Sequence, residues 1–137
     1  MSDVILNKMA IIERCVKRVH EEYDDHQNEF SDNYTRQDSV VLNIQRACEA
    51  AIDMGMHVVR IKQLGSPQSS REIFNLLADE KIITQEQAVQ LQKMVGFRNI
   101  AVHNYTKLDL NVVEMIIKKH LQNLVEFGKQ IILQKNN

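Results

Sequence analysis

An all-α fold, an up-and-down four-helix bundle with one short extra helix, is what the sequence predicts, and three observations lead there. The 137 residues include only 4 Gly and 1 Pro, well under the average usage of about 12%, which leaves too few turn formers for a many-stranded sheet. Apolar residues recur at steps of three and four, the period of a helix face. A composition of 44% hydrophobic and 26% charged residues supplies enough apolar material for one core of several helices, so residues 1–137 read as a single domain.

The first helix runs from Asp3 to about Asn28, with Ile5, Met9, Ile12, Val16 and Val19 on one face and Lys8, Glu13, Arg14, Lys17 and Arg18 opposite. The acidic run Glu21-Glu22-Tyr23-Asp24-Asp25 and then Ser31-Asp32-Asn33 break it into a turn. The second helix, from about Thr35 to Leu64, is the spine of the bundle, with Val41, Ile44, Cys48, Ile52, Met56 and Val59 on its apolar face. Gly65-Ser66-Pro67 stops it. Ser69 with Glu72 has capping-box spacing and opens a short bracing helix through Ile73, Phe74, Leu76 and Leu77. Thr84 with Gln87 repeats that spacing before a fourth helix carrying Ala88, Leu91, Met94, Val95 and Phe97. Asp109 caps a last helix whose apolar band spans Val112 to Ile132.

Several function classes are disfavoured at this stage. The formal charge of −1 gives no global field for nucleic acid, so any RNA contact has to be local, through residues such as Arg14, Lys17, Arg18, Arg36 and Arg46. No basic leader precedes a long apolar stretch, and a cytoplasmic protein without membrane association is expected. Cys15 and Cys48 lack any paired spacing and read as small buried helix residues. His20, Glu21, Glu22, Asp24, Asp25 and His26 include metal-ligand types without compact spacing, so a solvated acidic turn is expected and no metal or cofactor.

The chemistry concentrates in Gly96-Phe97-Arg98-Asn99-Ile100-Ala101-Val102-His103-Asn104-Tyr105. Arginine offers a permanent cation whose planar donors fit two phosphate oxygens, and an imidazole exchanges a proton near neutral pH, a combination suited to phosphodiester chemistry. The tyrosine adds a hydroxyl, or an aromatic face for an unstacked base. On one continuous helix Arg98 and Tyr105 would align within about 20° and Asn99 and His103 within about 40°, whereas Arg98 and His103 diverge by about 140°. Either the helix ends inside the motif or a second copy supplies one partner. A two-fold homodimer with both motifs facing a shared cleft is the favoured arrangement.

Arg98, four intervening residues, His103, one residue and Tyr105 resemble the R-x4-H-x-Y signature of the HepT toxins of the HEPN superfamily, with Asn99 as the polar residue that often follows the Arg. Asn43-Ile44-Gln45, Cys48-Glu49-Ala50-Ala51-Ile52-Asp53 and the Leu108-Asp109 restart extend the resemblance over nearly the whole chain. It implies a helical homodimer acting as a metal-independent endoribonuclease. Its antitoxin would be a cognate minimal nucleotidyltransferase (MntA-like) that uses ATP and Mg to attach AMP to the motif tyrosine. Carried over by position, Arg98 and His103 are catalytic, Asn99 is auxiliary and Tyr105 is the modification target, while messenger and transfer RNA both remain open as substrates.

Plainer readings stand beside these. A His at a helix end commonly caps the final carbonyls, an adjacent Arg commonly pairs with an acid, and a Tyr hydroxyl is commonly just packed. Glu49 and Asp53 are candidate supporting residues, and Asp53 with His57 at i and i+4 could equally be structural. The competing function class is a non-catalytic helical module that binds nucleotide or RNA and regulates a partner nucleotidyltransferase.

Overall fold

The computed structural model describes residues 3–136. The helices are α1 (Asp3–Tyr23), α2 (Tyr34–Ile61), α3 (Ser70–Asp79), α4 (Gln85–His103), α5 (Leu110–Met115) and α6 (Leu121–Asn136), with a π-helical turn (Ile116–His120) joining the last two. Short 3₁₀ turns at Gln27–Asp32 and Tyr105–Lys107 complete the path. Among the described residues there is no strand, and no helix is long and apolar enough to cross a membrane. The result is four long helical rods with α3 as the brace.

The periodic apolar residues point inward as expected. Ile5, Met9, Ile12, Val16 and Val19 of α1 are buried, and so are Ala88, Leu91, Met94, Val95 and Phe97 of α4. The spine is more enclosed than its pattern implied, because Val40, Ala47, Ala50, Ala51, Met54 and Val58 are buried as well. It packs against α1, α3, α4 and α6, which leaves one narrow exposed stripe through Asp38, Leu42, Arg46 and Asp53. α1 and α2 run antiparallel, tied at one end by Lys8–Asp53 at 3.0 Å and at the other by Arg36, whose Nη1 lies 3.9 Å from Glu22. At Gly128 an added Cβ would lie 2.2 Å from Met9 Sδ, so this glycine allows α6 to approach α1.

The boundaries differ from the sequence reading in ways that have local causes. α1 stops at Tyr23, where Asp25 adopts φ 66° and the chain enters the first 3₁₀ turn. Asn33 caps α2 by accepting from Arg36 N, so part of the expected turn is a helix start. α2 stops before Gly65: Gln63 takes the left-handed conformation (φ 54°) and Leu64 N–H reaches back to Val59 O at 3.0 Å. α3 ends the same way, with Lys81 at φ 60° and Ile82 N–H bonded to Leu77 O at 3.0 Å. In both, the apolar residue after the left-handed position tucks against the core, which holds a non-glycine residue in a strained region. Thr84 and Gln87 form a complete capping box; at α3, Ser69 accepts from Glu72 N while the Glu72 carboxylate reaches past it to Gln68 N. The π turn lets the adjacent Ile116 and Ile117 both face inward, leaving Val112 and Met115 exposed although the pattern assigned both to the core band. Cys15 and Cys48 are buried free thiols.

The first turn is pinned through Tyr23 and Gln37. The Gln37 amide donates to Phe30 O at 2.8 Å and Ser31 O at 3.0 Å. Tyr23 is 1% exposed, meets Phe30 edge to face and donates its hydroxyl to Glu114 of α5. Burial first, and then the Glu114 carboxylate, push the Tyr23 pKa up to about 12. The folded state therefore holds this proton more tightly than the unfolded chain. The contribution is intact below pH about 10 and is lost as pH rises toward about 12. Tyr23→Phe is expected to lower stability by about 1–2 kcal/mol at neutral pH by leaving Glu114 without its donor. It should also flatten the alkaline fall in stability; denaturant titrations across pH check both, and an unchanged alkaline slope would remove Tyr23 from the account.

Candidate active site

The motif sits where α4 ends. Asn, Tyr and Thr are poor helix formers, and after His103 the Asn104 backbone leaves helical geometry (φ −154°, ψ 51°) while its N–H still caps Ile100 O at 2.8 Å. Arg98, Asn99 and His103 thus share α4, whereas Tyr105 begins the following 3₁₀ turn. The alignment of Arg98 with Tyr105 on one helix is not realised, because the helix ends between His103 and Tyr105. The divergence of Arg98 and His103 stands: they are five residues apart on continuous helix, about 140° around and about 7.5 Å along the axis.

Arg98 is partly buried and turns toward α3, where Nη2 donates to Ser70 Oγ at 3.3 Å. Its Nε is buried with no hydrogen-bond partner. The guanidinium is close enough to Cys48 on α2 for its charge to oppose the effect of burial there. Burial still dominates and pushes the Cys48 thiol up to about 12, so this cysteine is a neutral packing group. Asn99 and His103 are exposed on the same side of α4.

Tyr105 is 44% exposed, and its hydroxyl donates to the carboxylate of Asp38 on α2. Partial burial first, and then that carboxylate, raise its pKa to about 12. The two residues line a cleft of about 430 Å³ between the start of α2 and the α4–α5 connection, and Tyr34, 75% exposed, lines it too. Tyr34 follows the acidic turn in the sequence, and the fold brings it beside Tyr105. Asp38 and Ser70 were missed. Asp38 lies 67 positions from Tyr105, beyond any local pattern, and Ser70 was overshadowed by the adjacent capping Ser69.

The other singled-out residues fall elsewhere. Asp53 pairs with Lys8, and Glu49 accepts from Gln45 Nε2 at 2.9 Å, so the recorded partners of both candidate supporting residues lie outside the motif. The acidic turn is laced by His20–Asp24 and His26–Glu29 contacts, both at 3.2 Å. Among the described residues no group of three His, Cys, Asp or Glu side chains could hold a metal ion. Of the basic residues, Arg36 is engaged by Glu22 and Glu29, whereas Arg14, Lys17, Arg18 and Arg46 line one groove between α1 and α2.

Comparison with known proteins identifies the family. A family model described as ribonuclease HepT-like matches residues 12–131. The chain is 50% identical over 127 residues to the mRNA nuclease HepT of Shewanella oneidensis, covering 93% of this chain and 95% of that protein. It is 34% identical over 88 residues to the tRNA nuclease HepT of Aphanizomenon flos-aquae, covering 64% of this chain and 60% of that protein. The solved structure of the tri-AMPylated Shewanella oneidensis HEPN toxin in complex with MNT antitoxin superposes with a TM-score of 0.92 at 48% identity, over 97% of this chain and 99% of that one. By the family match, the extent of the 50% identity and the shared all-α fold, the chain belongs to the HepT-like ribonuclease family.

Proposed function

We propose that this protein is the toxin of a toxin–antitoxin pair, an endoribonuclease silenced when a cognate nucleotidyltransferase attaches AMP to Tyr105. The carrying observation is the set at the end of α4: a partly buried Arg98 with an unpartnered Nε, and an exposed His103 with Asn99 beside it. In the reaction a ribose 2′-OH attacks the adjacent phosphorus, the P–O5′ bond breaks, and the products are a 2′,3′-cyclic phosphate and a 5′-OH. One proton leaves the 2′-OH and one reaches the departing O5′. His103 takes part in this transfer, and Arg98 holds the charge that builds on the phosphorane oxygens. Both contributions come from side chains, so cleavage is expected to persist in EDTA. His103→Ala and Arg98→Ala should each lower the cleavage rate on the order of 10²-fold or more while leaving the circular dichroism spectrum unchanged. Folded variants that cleave at the wild-type rate would favour the competing reading, a helical module that only binds RNA or nucleotide.

The divergence of Arg98 and His103 supports a two-fold homodimer in which two motifs share one cleft. A surface suited to such pairing adjoins the motif: a cleft of about 400 Å³ between α4 and α5, lined by Phe97 and by Ile100, Val112 and Met115, which are 44%, 47% and 52% exposed. Burying apolar surface of this kind contributes roughly 25 cal/mol per Å². Met115→Glu is therefore expected to give a folded monomer by light scattering with cleavage reduced on the order of 10²-fold. A fully active monomer would refute the shared cleft.

Silencing follows from the surroundings of Tyr105. Its oxygen attacks the α-phosphorus of ATP, pyrophosphate departs, and the phenolic proton has an acceptor already in place in Asp38. ATP and Mg belong to the partner enzyme, an MntA-like nucleotidyltransferase. Tyr23 is buried, and Tyr34, though exposed, has no recorded acceptor among the described residues, so Tyr105 is the favoured target. Asp38→Asn should bring the Tyr105 pKa down from about 12 toward the ordinary tyrosine value, read as the ultraviolet phenolate transition that Tyr105→Phe removes. It should also slow AMP transfer at least tenfold by intact-mass spectrometry with partner, ATP and Mg. Undiminished transfer in Asp38→Asn would dismiss the carboxylate, and transfer mapped to Tyr34 would overturn the assignment of Tyr105.

A further inference from the structure

The groove between α1 and α2 is the strongest charged feature outside the motif. Arg14, Lys17 and Arg18 recur at i, i+3 and i+4 on α1, with Glu21 one turn further on. Asp38 and Arg46 stand two turns apart on α2, and all six line one channel of about 610 Å³. Arg18 is occupied by Glu21 and Glu22. Arg14, Lys17 and Arg46 are exposed, and among the described residues none has a carboxylate within 4.0 Å. Three unpaired cations at one place on a chain of net charge −1 are a local positive field of the kind the whole molecule lacks. Asp38 lines both this channel and the cleft that holds Tyr34 and Tyr105, so the two adjoin at its side chain.

From this adjacency we infer that the α1–α2 groove and the tyrosine cleft together form a binding track for a single ribonucleotide strand, with phosphates on Arg14, Lys17 and Arg46 and bases against Tyr34 and Tyr105. Unpaired cations along a groove with exposed aromatic faces at its end are the combination that holds single-stranded nucleic acid without reading its sequence. The distance from Asp38 to Arg46 along α2 is about 12 Å at 1.5 Å per residue, enough for more than one phosphate. Once Tyr105 is esterified its oxygen no longer donates to Asp38, and AMP units attached there start at the tyrosine end of the track, where they compete with substrate RNA for it. The inference rests on the ribonuclease reading and extends it by placing the substrate strand outside the Arg98 and His103 cleft.

The test uses the full chain and a fluorescein-labelled single-stranded RNA. In a His103→Ala background, where the RNA survives, Arg14→Ala, Lys17→Ala and Arg46→Ala together are expected to weaken binding at least tenfold. They should also reduce the slope of log affinity against log salt by about 2, roughly 0.7 for each phosphate contact removed, with each single variant giving about a third of that change. In the chain with His103 intact, KM should rise with kcat within about twofold, a split that general damage to the fold would not give. Lys118→Ala, Lys119→Ala and Lys129→Ala remove the same charge from α6 and the π turn and should leave the slope unchanged; an equal loss there would overturn the groove. Loss of free-RNA binding in the groove triple assigns the track to substrate. Unchanged free-RNA binding, with AMP on Tyr105 no longer suppressing cleavage, assigns it to the attached AMP strand. Unchanged affinity, slope and suppression overturn the inference. If the parent chain neither cleaves nor binds RNA, it is the ribonuclease reading that fails, and the groove with it.

Discussion

The enclosure of α2 sets the geometry on which the other helices depend. A 28-residue helix packed against α1, α3, α4 and α6 has to present apolar or very small side chains on every side but one narrow stripe. Ala47, Ala50, Ala51 and Gly55 do so where neighbours come close, and an added Cβ at Gly55 would stand 2.8 Å from Ile73 of α3. Close packing of this kind transmits position well, since interiors at crystal-like density do not deform smoothly. Asp38, Cys48 and Asp53 therefore act as fixed marks along a ruler, and what faces them from α1 and α4 is set by helix register.

That register explains why the chemistry gathers at one end. α4 runs antiparallel to α2, with Met94 O beside Cys48 Sγ at 3.8 Å and Tyr105 beside Asp38. The end of α4, the start of α2 and the capped start of α5 consequently meet at the same level of the bundle. Helix ends carry the unsatisfied backbone groups and the irregular turns of an all-α protein, and they are where side chains can leave the core without disturbing it. Arg98 keeps a foot in the packed region through Ser70, while His103 and Tyr105 stand in solvent.

What could be read in the sequence, and what could not, divides along the range of the interactions. Helix periodicity and N-caps are local, and so Asp109 at α5, Thr84 with Gln87 at α4 and the apolar face of α1 are all where the spacing put them. Stops were harder to place. At Gln63, where Gly65 was expected to make the stop, and at Lys81 tertiary packing of the next apolar residue supports a left-handed conformation. The motif residues were visible as a cluster of chemical types. Their partners were not, because Asp38 and Ser70 approach from 67 and 28 positions away. Likewise five basic residues were equivalent in the sequence, and only the packing of α1 on α2 separates Arg36, tied to Glu22 and Glu29, from the four that share a groove.

The unpartnered Nε of Arg98 carries an evolutionary consequence. A donor buried without an acceptor costs on the order of 1–3 kcal/mol, a penalty relieved when an anion arrives or when the side chain is removed. With Arg98 in the catalytic role proposed for it, selection on stability and selection on toxicity pull in opposite directions at this position. Loss of this side chain would then be an escape route that leaves the bundle intact, and disarmed copies of such a chain would persist as well-folded proteins long after their activity is gone.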